Sequence, residues 1–191
     1  GGFMDSHLIR KAAARLPAIS DLAVLRFNFR GVTSPRGRSE GSFGEGVTER
    51  FDLAAAMDFV SEQGLPAPWL LGWSFGTEVA LAYGLQYPIV GAILLSPPLK
   101  RATSDHLAAW SGSGKRVVAV IPEFDDYLQP EEARARFAVL PETELVAISG
   151  GKHLWVGEEQ TRRVLTEIVR AVNPGALPLP TEWDEQQTGA D

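Results

Sequence analysis

Short apolar runs alternate along this chain with stretches in which apolar residues recur every three or four positions. The apolar runs are of strand length and occupy 22–29, 68–73, 91–96, 116–121 and 144–148. The stretches with helical spacing occupy 6–16, 49–62, 75–85, 104–110, 130–140 and 158–172. Strands that are apolar throughout, each followed by an amphipathic helix, are typical of a parallel sheet covered on both faces. The pattern therefore predicts an α/β fold, with a mostly parallel sheet flanked by helices on both faces.

Breaks in the pattern predict where ordered elements end. Pro17 is expected to end the first helix. The stretch 31–46 is rich in glycine and serine and longer than an ordinary connection, which predicts a loop without strand or helix. After residue 172 the sequence loses all periodicity and becomes rich in proline and acidic residues. We therefore predict one domain over 1–172 and a flexible tail over 173–191.

Composition narrows the class of partner. The chain has 191 residues, 45% of them hydrophobic, and a formal net charge of -6, so it lacks the basic surface expected of a protein that binds nucleic acid or an anionic membrane. We expect a small-molecule substrate instead. The absence of cysteine excludes disulfides and thiolate nucleophiles, and it favours a cytoplasmic location. No cofactor or metal is expected, and the composition does not indicate an oligomeric state.

One apolar run leads directly into a helical pattern, in the stretch LLGWSFGTEVALAYG at 70–84. Ser74 lies between the predicted strand and the helix that begins near Phe75. A reversal of direction within one residue strains its backbone, and Gly72 and Gly76 are expected to remove side chains that would clash there. An ordinary serine helix cap, the alternative, needs neither glycine. The stretch predicts an exposed serine nucleophile, with the amide of Phe75 as an oxyanion donor.

A serine hydroxyl needs a base to become a nucleophile, and the chain has three histidines. Only His153 follows a predicted strand, and Gly150 and Gly151 before it predict a tight turn that brings the imidazole to the sheet edge. His7 and His106 lie in helical patterns, where a packing role is favoured. We therefore predict that His153 is the base.

The imidazole in turn needs a carboxylate to orient it and to stabilise its charged form. Asp125 and Asp126 follow a predicted strand, before Pro130 opens the next helix. Glu131 and Glu132 fall in the first turn of that helix, where their interaction with the helix dipole is enough to explain their presence. The order along the chain is then serine, aspartate, histidine, which is the order of one hydrolase architecture and not of the two common serine protease architectures.

These segments, in this order, resemble the α/β-hydrolase superfamily, and within it the small bacterial hydrolases close to dienelactone hydrolase. The resemblance covers residues 1 to about 172 and is carried by RFNFRG, GWSFG, ILLSPP, PEFDDYLQP and GGKHLW. In the family the acid typically lies in a segment like G-E-x-D, to which Pro122 through Asp125 correspond here. The resemblance therefore favours Asp125 as the acid and leaves Asp126 as the alternative.

The resemblance also bears on the N-terminus. In such proteins a second oxyanion donor comes from the loop after the third strand, and this chain begins at GGFM as though inside that loop, apparently truncated. Gly2 or Phe3 would then carry the donor amide. The family's third strand lies between the strands predicted here at 22–29 and 68–73. A fold lacking the first strands would leave a central gap, or those two strands would pair with each other.

The predicted activity is that of a serine hydrolase acting on a small ester, thioester or lactone through an acyl-enzyme. A large lid has no room in the twenty or so residues at 96–115. The alternatives are a catalytically silent binding protein of the same fold and an acyltransferase with an acceptor other than water. Trp73 and Trp155 neighbour the proposed catalytic residues and are candidates for substrate binding. Three loop arginines are candidates for holding an anionic substrate group, with a solvated loop as the alternative: Arg30, Arg36 and Arg38.

Overall fold

The computed structural model describes residues 2–181 of the chain. A small antiparallel hairpin of β1 (Thr33–Ser34) and β2 (Gly37–Arg38) precedes the main sheet. The main sheet has four parallel strands in the order β3-β4-β5-β6. Their bounds are Trp69–Trp73 for β3, Gly91–Leu95 for β4, Arg116–Phe124 for β5 and Glu144–Lys152 for β6. The parallel sheet predicted from the continuous apolar runs is confirmed.

Within the described residues 2–181, six helices pack around this sheet. In chain order they are α1 (His7–Ser20), α2 (Arg50–Glu62), α3 (Phe75–Tyr83), α4 (Ser104–Ala108), α5 (Pro130–Arg136) and α6 (Glu158–Val172). Short 3-10 turns follow α3, α5 and α6, at Gly84–Gln86, Phe137–Val139 and Pro174–Ala176. None of the helices within residues 2–181 is both long and apolar enough to cross a membrane.

Two apolar layers lie on opposite faces of the sheet because successive strand residues point to opposite sides. Ala92 and Leu94 of β4 join the layer that contains apolar residues of α2, α3, α4 and α5. Ile93 and Leu95 join the layer formed with α1 and α6. All four residues are almost completely buried. The expected helices on both faces are thus present.

Pro17 does not end the first helix, contrary to the prediction. It lies inside α1, which continues to Ser20 and stops at Asp21, where φ is 53°. Leu16 is buried beneath the sheet and Ile19 packs against the same layer. The burial of these side chains outweighs the backbone hydrogen bond that proline removes.

The segment 22–29 is not a strand, contrary to the prediction. Leu22 and Val24 pack against the layer of α1 and α6, while Leu25 and Phe27 point outward with 42% and 37% of their surface exposed. A strand requires a hydrogen-bonded neighbour, and within residues 2–181 this segment forms no ladder with β3, which is the edge of the four-stranded sheet. The re-pairing considered from the sequence does not occur.

Two further boundaries differ from the prediction. The loop over 31–46 contains the β1–β2 hairpin, whose turn at Pro35 and Arg36 allows two residues on each side to pair. After residue 172, Pro174–Ala176 forms a 3-10 turn and Leu179 is 5% exposed against the layer of α1 and α6. The first part of the predicted tail is therefore packed, because its apolar side chains find a surface. Residues 182–191 of that tail lie outside the described residues.

Candidate active site

The ends of three parallel strands bring the predicted catalytic side chains together. Ser74 directly follows β3, which places it at the carboxyl edge of the sheet, where α/β proteins bind ligands. The ladder between β5 and β6 continues past a register shift to pair Phe124 with Lys152. The residues that follow this pair are Asp125 and His153. Strands longer than predicted therefore place the acid beside the imidazole.

Ser74 has a strained backbone at the turn from β3 into α3. Its φ and ψ are 51° and -116°, a region that residues with a side chain rarely adopt. Its amide donates to the carbonyl of Leu95 at 2.9 Å, and its own carbonyl accepts from the amide of Thr77 at 2.9 Å. These bonds hold the strained conformation and direct the hydroxyl away from the sheet.

The two glycines of the turn have different roles. A Cβ added to Gly72 would lie 2.7 Å from the backbone of Gly76 and Thr77, which is closer than real Cβ atoms come. A Cβ added to Gly76 would meet nothing within 4 Å. The prediction that both glycines prevent a clash is therefore right for Gly72 and wrong for Gly76. The reason is that another part of the backbone comes close to the Cα of Gly72, at the end of β3, whereas the space beside the Cα of Gly76, in the first turn of α3, is empty.

An unbroken chain of hydrogen bonds joins the three side chains. Nε2 of His153 lies 2.9 Å from Oγ of Ser74, and Nδ1 of His153 lies 2.9 Å from Oδ2 of Asp125. His153 is 7% exposed and Asp125 4% exposed, whereas Ser74 is half-buried. A carboxylate on one ring nitrogen and a hydroxyl on the other is the arrangement in which histidine can accept a proton from serine.

The Asp125 carboxylate is buried but well supplied with donors. Its Oδ1 accepts the amides of Tyr127 at 2.8 Å and Leu128 at 3.1 Å, while Oδ2 faces His153. Burial alone raises the pKa of this carboxyl, but the hydrogen bonds from His153 and the two amides outweigh it and hold the pKa below 3.8. Asp126 is exposed and makes none of these contacts. The geometry assigns the contact with His153 to Asp125.

The backbone of His153 is held by two side chains on neighbouring strand ends. Its carbonyl oxygen accepts the indole N–H of Trp73 at 3.1 Å and the hydroxyl of Ser96 at 3.1 Å. The ring of Tyr127 packs edge-on against the imidazole, with 4.7 Å between centroids. Gly150 has a φ of 69°, but Gly150 and Gly151 lie inside β6 at the register shift with β5, so the tight turn predicted there is an irregularity within the strand instead. The imidazole is thus fixed from both its backbone and its ring.

The proposed roles of the two tryptophans in substrate binding do not agree with where these side chains lie. Trp155 is fully buried in the layer of α1 and α6, so it is a core residue. Trp73 packs against the same layer, and its indole N–H donates to the carbonyl of His153.

The two other histidines have packing and capping roles, as expected of histidines in helices. His7 contacts Trp73 edge-on at 5.8 Å, and His106 forms a capping box with Thr103.

The amides available to an oxyanion are those near the start of α3. Phe75 is the first residue of α3, so its N–H has no acceptor within the helix and lies beside the Ser74 hydroxyl. The second donor proposed from the sequence, Phe3, is already occupied, because its N–H donates to Oγ of Ser6 at 3.0 Å. Ser6 is the N-cap residue of α1, and its hydroxyl makes no capping hydrogen bond to that helix. The Phe3 assignment therefore fails for a local reason that the sequence does not reveal.

The loop arginines considered for an anionic substrate are mostly neutralised. Arg30 makes bidentate contact with Asp52, and Arg36 pairs with Asp5 at 3.1 Å. The contact with Asp52 also raises the pKa of Arg30. Within residues 2–181, no three histidine, aspartate or glutamate side chains are placed to hold a metal ion.

Several residues around the site were not singled out from the sequence. Ser96 and Tyr127 contact His153, while Glu78 in α3 binds backbone amides of the segment after β4. Ser96 directly follows β4, just as Ser74 directly follows β3, the neighbouring strand of the sheet. This position at a strand end was the signal by which the sequence could have pointed to Ser96. The contacts of Tyr127 and Glu78 join segments that are distant in sequence, so no local pattern indicates them.

Comparison with known proteins places this chain in a family. A family model described as "Alpha/beta hydrolase family" matches residues 1–188. A curated protein from Rickettsia prowazekii, itself uncharacterised, is 39% identical over 79 residues, which are 40% of this chain and 32% of that protein. The matched region therefore spans about a third of the length of this curated relative.

Solved structures agree over most of the chain. An alpha-beta serine hydrolase homologue from Coxiella burnetii superposes with a TM-score of 0.75 at 25% identity, covering 90% of this chain and 79% of its own. A protein from Xanthomonas campestris, described as an a/b serine hydrolase without lid, superposes with a TM-score of 0.74 at 25% identity. That match covers 96% of this chain and 78% of the Xanthomonas chain.

Proposed function

Because this chain belongs to the alpha/beta hydrolase family, we propose that it is a serine hydrolase that cleaves a small ester, thioester or lactone through an acyl-enzyme. The observation that carries the proposal is the chain of two 2.9 Å contacts from Ser74 through His153 to Asp125. The strained turn supports it, since a strained serine at the end of a parallel strand is the arrangement expected of a nucleophile. Membership of the family and the similarity to the two solved serine hydrolase structures support hydrolase activity in general.

The proposed reaction has two steps. The hydroxyl oxygen of Ser74 attacks the substrate carbonyl, and its proton moves to Nε2 of His153 while Asp125 stabilises the imidazolium. The amide of Phe75 donates to the carbonyl oxygen as it becomes negative. The imidazolium then gives its proton to the leaving alcohol or thiol. In the second step His153 takes a proton from water, whose oxygen attacks the acyl carbonyl. The imidazolium then returns that proton to the Ser74 oxygen as its bond to the acyl carbon breaks, which releases the acid and free Ser74.

A small substrate is favoured by how short the segment after β4 is. Only residues 96–115 connect β4 to β5, and they contain the five-residue helix α4. This segment is buried at three apolar residues, Ala102, Leu107 and Trp110, in the core layer that contains apolar residues of α2, α3, α4 and α5. It therefore packs on the domain instead of extending over Ser74. We propose that the site is open and binds soluble acyl groups of a few carbons.

The test is hydrolysis of p-nitrophenyl acetate by the purified chain. Ser74→Ala should lower kcat by about 1,000-fold or more, because without the nucleophile the remaining groups accelerate the reaction only weakly. Ser113→Ala, which removes an exposed serine elsewhere, is the matched control and should keep full activity. Undiminished hydrolysis by Ser74→Ala would remove Ser74 from the mechanism.

A silent binding protein of the same fold is the second candidate, and one observation favours it. The amide of Phe3 is occupied by Ser6, so that N–H is not available as a second oxyanion donor. Reaction with a fluorophosphonate probe separates the two functions. A hydrolase should be labelled at Ser74 and lose labelling in His153→Ala, whereas a silent protein should not be labelled.

A further inference from the structure

Two cationic side chains lie on aromatic rings beside the proposed catalytic residues. Nζ of Lys100 lies 4.0 Å above the ring centroid of Tyr127. The guanidinium carbon of Arg101 lies 5.7 Å from the ring centroids of Phe43 and Phe75. Both cations are exposed, and within residues 2–181 neither forms an ion pair with a carboxylate. Both are therefore available to a ligand.

One of these rings contacts the imidazole of His153, and another belongs to the residue that follows Ser74. Tyr127 packs edge-on against the imidazole of His153, with 4.7 Å between centroids. Phe75 directly follows Ser74 and supplies the proposed oxyanion donor. Both cations therefore contact residues that adjoin the proposed base in space or the proposed nucleophile in sequence.

The backbone that presents the two cations is held in place by a buried carboxylate. Glu78 in α3 is 3% exposed and accepts the amides of Lys100 at 2.7 Å and Arg101 at 3.0 Å, together with the amide of Ala102. On the other side, the carbonyl of Leu99 accepts from Arg136 at 2.8 Å. The segment is thus tied to the same helix that begins at the nucleophile. Its side chains start from a preorganised backbone, which lowers the entropy lost on binding a ligand.

The local charge contrasts with the rest of the molecule. The chain has a formal net charge of -6, and a surface depression of about 450 Å³ beside Tyr127 is lined by acidic side chains. These are Asp125, Asp126, Glu131 and Glu132. An anion is repelled from that side of Tyr127 and attracted to the side of Lys100. The two cations are therefore positioned to select by charge.

We propose that Lys100 and Arg101 form an anion-binding subsite, and that the substrate is a small ester or thioester with a carboxylate a few bonds from the cleaved carbonyl. The inference rests on the hydrolase function proposed above. The fork of Arg101 can bind both carboxylate oxygens, and Lys100 adds a point charge on the other side.

A matched pair of substrates tests the subsite. Mono-4-nitrophenyl adipate carries a free carboxylate, and its methyl ester has nearly the same shape without the charge. The unaltered protein should have the higher kcat/KM for the anionic ester. Lys100→Gln/Arg101→Gln should lower the ratio of the two kcat/KM values by about fivefold or more, since two exposed charge contacts are lost.

The control variant removes two positive charges at other exposed positions. Arg10→Gln/Arg134→Gln changes two exposed helix residues and should leave the ratio as it is. In the unaltered protein, raising salt from about 20 mM to about 300 mM should reduce the anionic preference while the methyl ester is little affected. This second measurement uses only the unaltered protein, so it does not depend on whether a variant folds.

The outcomes separate the subsite from the hydrolase function. Equal ratios in the unaltered protein and in Lys100→Gln/Arg101→Gln, with the methyl ester hydrolysed and Ser74 labelled, would overturn the subsite and leave the hydrolase intact. An equal fall in the control would also overturn it, because net charge would then explain the preference. If neither ester is hydrolysed and Ser74 is not labelled, the hydrolase proposal fails and the subsite fails with it.

Discussion

The indole N–H of Trp73 donates to the carbonyl oxygen of His153 at 3.1 Å, so the residue before the proposed nucleophile holds the backbone of the proposed base. The two residues are 80 positions apart in sequence. Ser96 donates to the same oxygen at 3.1 Å. One peptide carbonyl therefore connects the ends of β3, β4 and β6, and the distance between Ser74 and His153 depends on it.

We predict that Trp73→Phe lowers kcat by roughly threefold to tenfold with little change in KM, because a small displacement of the imidazole weakens proton transfer more than binding. Trp69→Phe is the matched control, since Trp69 packs against the same core layer without contacting His153. Steady-state kinetics on p-nitrophenyl acetate measure the effect. Equal losses in both variants would show that the contribution is packing alone.

The two glycines around Ser74 should respond oppositely to alanine. Gly72→Ala is expected to lower the free energy of unfolding by about 2 to 3 kcal/mol, because its Cβ would lie 2.7 Å from the backbone of Gly76. Gly76→Ala has open space in a helix and is expected to raise stability by about 0.5 to 1 kcal/mol. Urea unfolding measures both. A large loss in Gly76→Ala would contradict the asymmetry.

Asp125 and Asp126 are adjacent, and substitution should separate their roles. Asp125→Asn should lower kcat by about 100-fold or more, because an amide can stabilise neither the tautomer nor the charged imidazole. Asp126→Asn removes an exposed carboxylate and should leave kcat within about threefold, as expected for a surface residue. Circular dichroism would verify that both variants fold. A larger loss in Asp126→Asn would reverse the assignment of the acid.

The contact between α1 and α6 predicts a pH-dependent contribution to stability. Hydrogen bonds from Arg15 and Lys11 lower the pKa of Glu158 from 4.5 to about 2. A depressed carboxyl pKa stabilises the folded state above pH 4.5, and this contribution is lost as pH falls from 4.5 toward 2. Its size is no more than about 1 kcal/mol, because the carboxylate is largely exposed.

Glu158→Gln should therefore be less stable than the unaltered protein at pH 7, with the difference shrinking between pH 4.5 and pH 2. Glu159→Gln, an exposed neighbour in the same helical turn, is the control for helix-dipole effects. Urea unfolding at several pH values measures the difference. A gap that stays constant down to the lowest pH would rule out the ion pairs as its source.

Local sequence patterns were sufficient for most helices and for the strands that have neighbours. The runs around 91–96 and 116–121 are strands because their apolar residues satisfy both faces of a covered sheet. The run at 22–29 has the same character but is not a strand, since apolar side chains do not supply a hydrogen-bonding partner. Pro17 shows the reverse case, in which packing of Leu16 and Ile19 maintains a helix that a local rule would end.

The sequence by itself determined the fold class, the turn at Ser74 and which of the three histidines lies beside that serine, because these depend on apolar periodicity, glycine spacing and chain order. Only the tertiary structure decided which of Asp125 and Asp126, adjacent in sequence, contacts His153. The same holds for the occupied amide of Phe3, the burial of Trp155 and the placement of Lys100 and Arg101. Each of these depends on contacts between distant segments, and such contacts exist only after the strands have aligned.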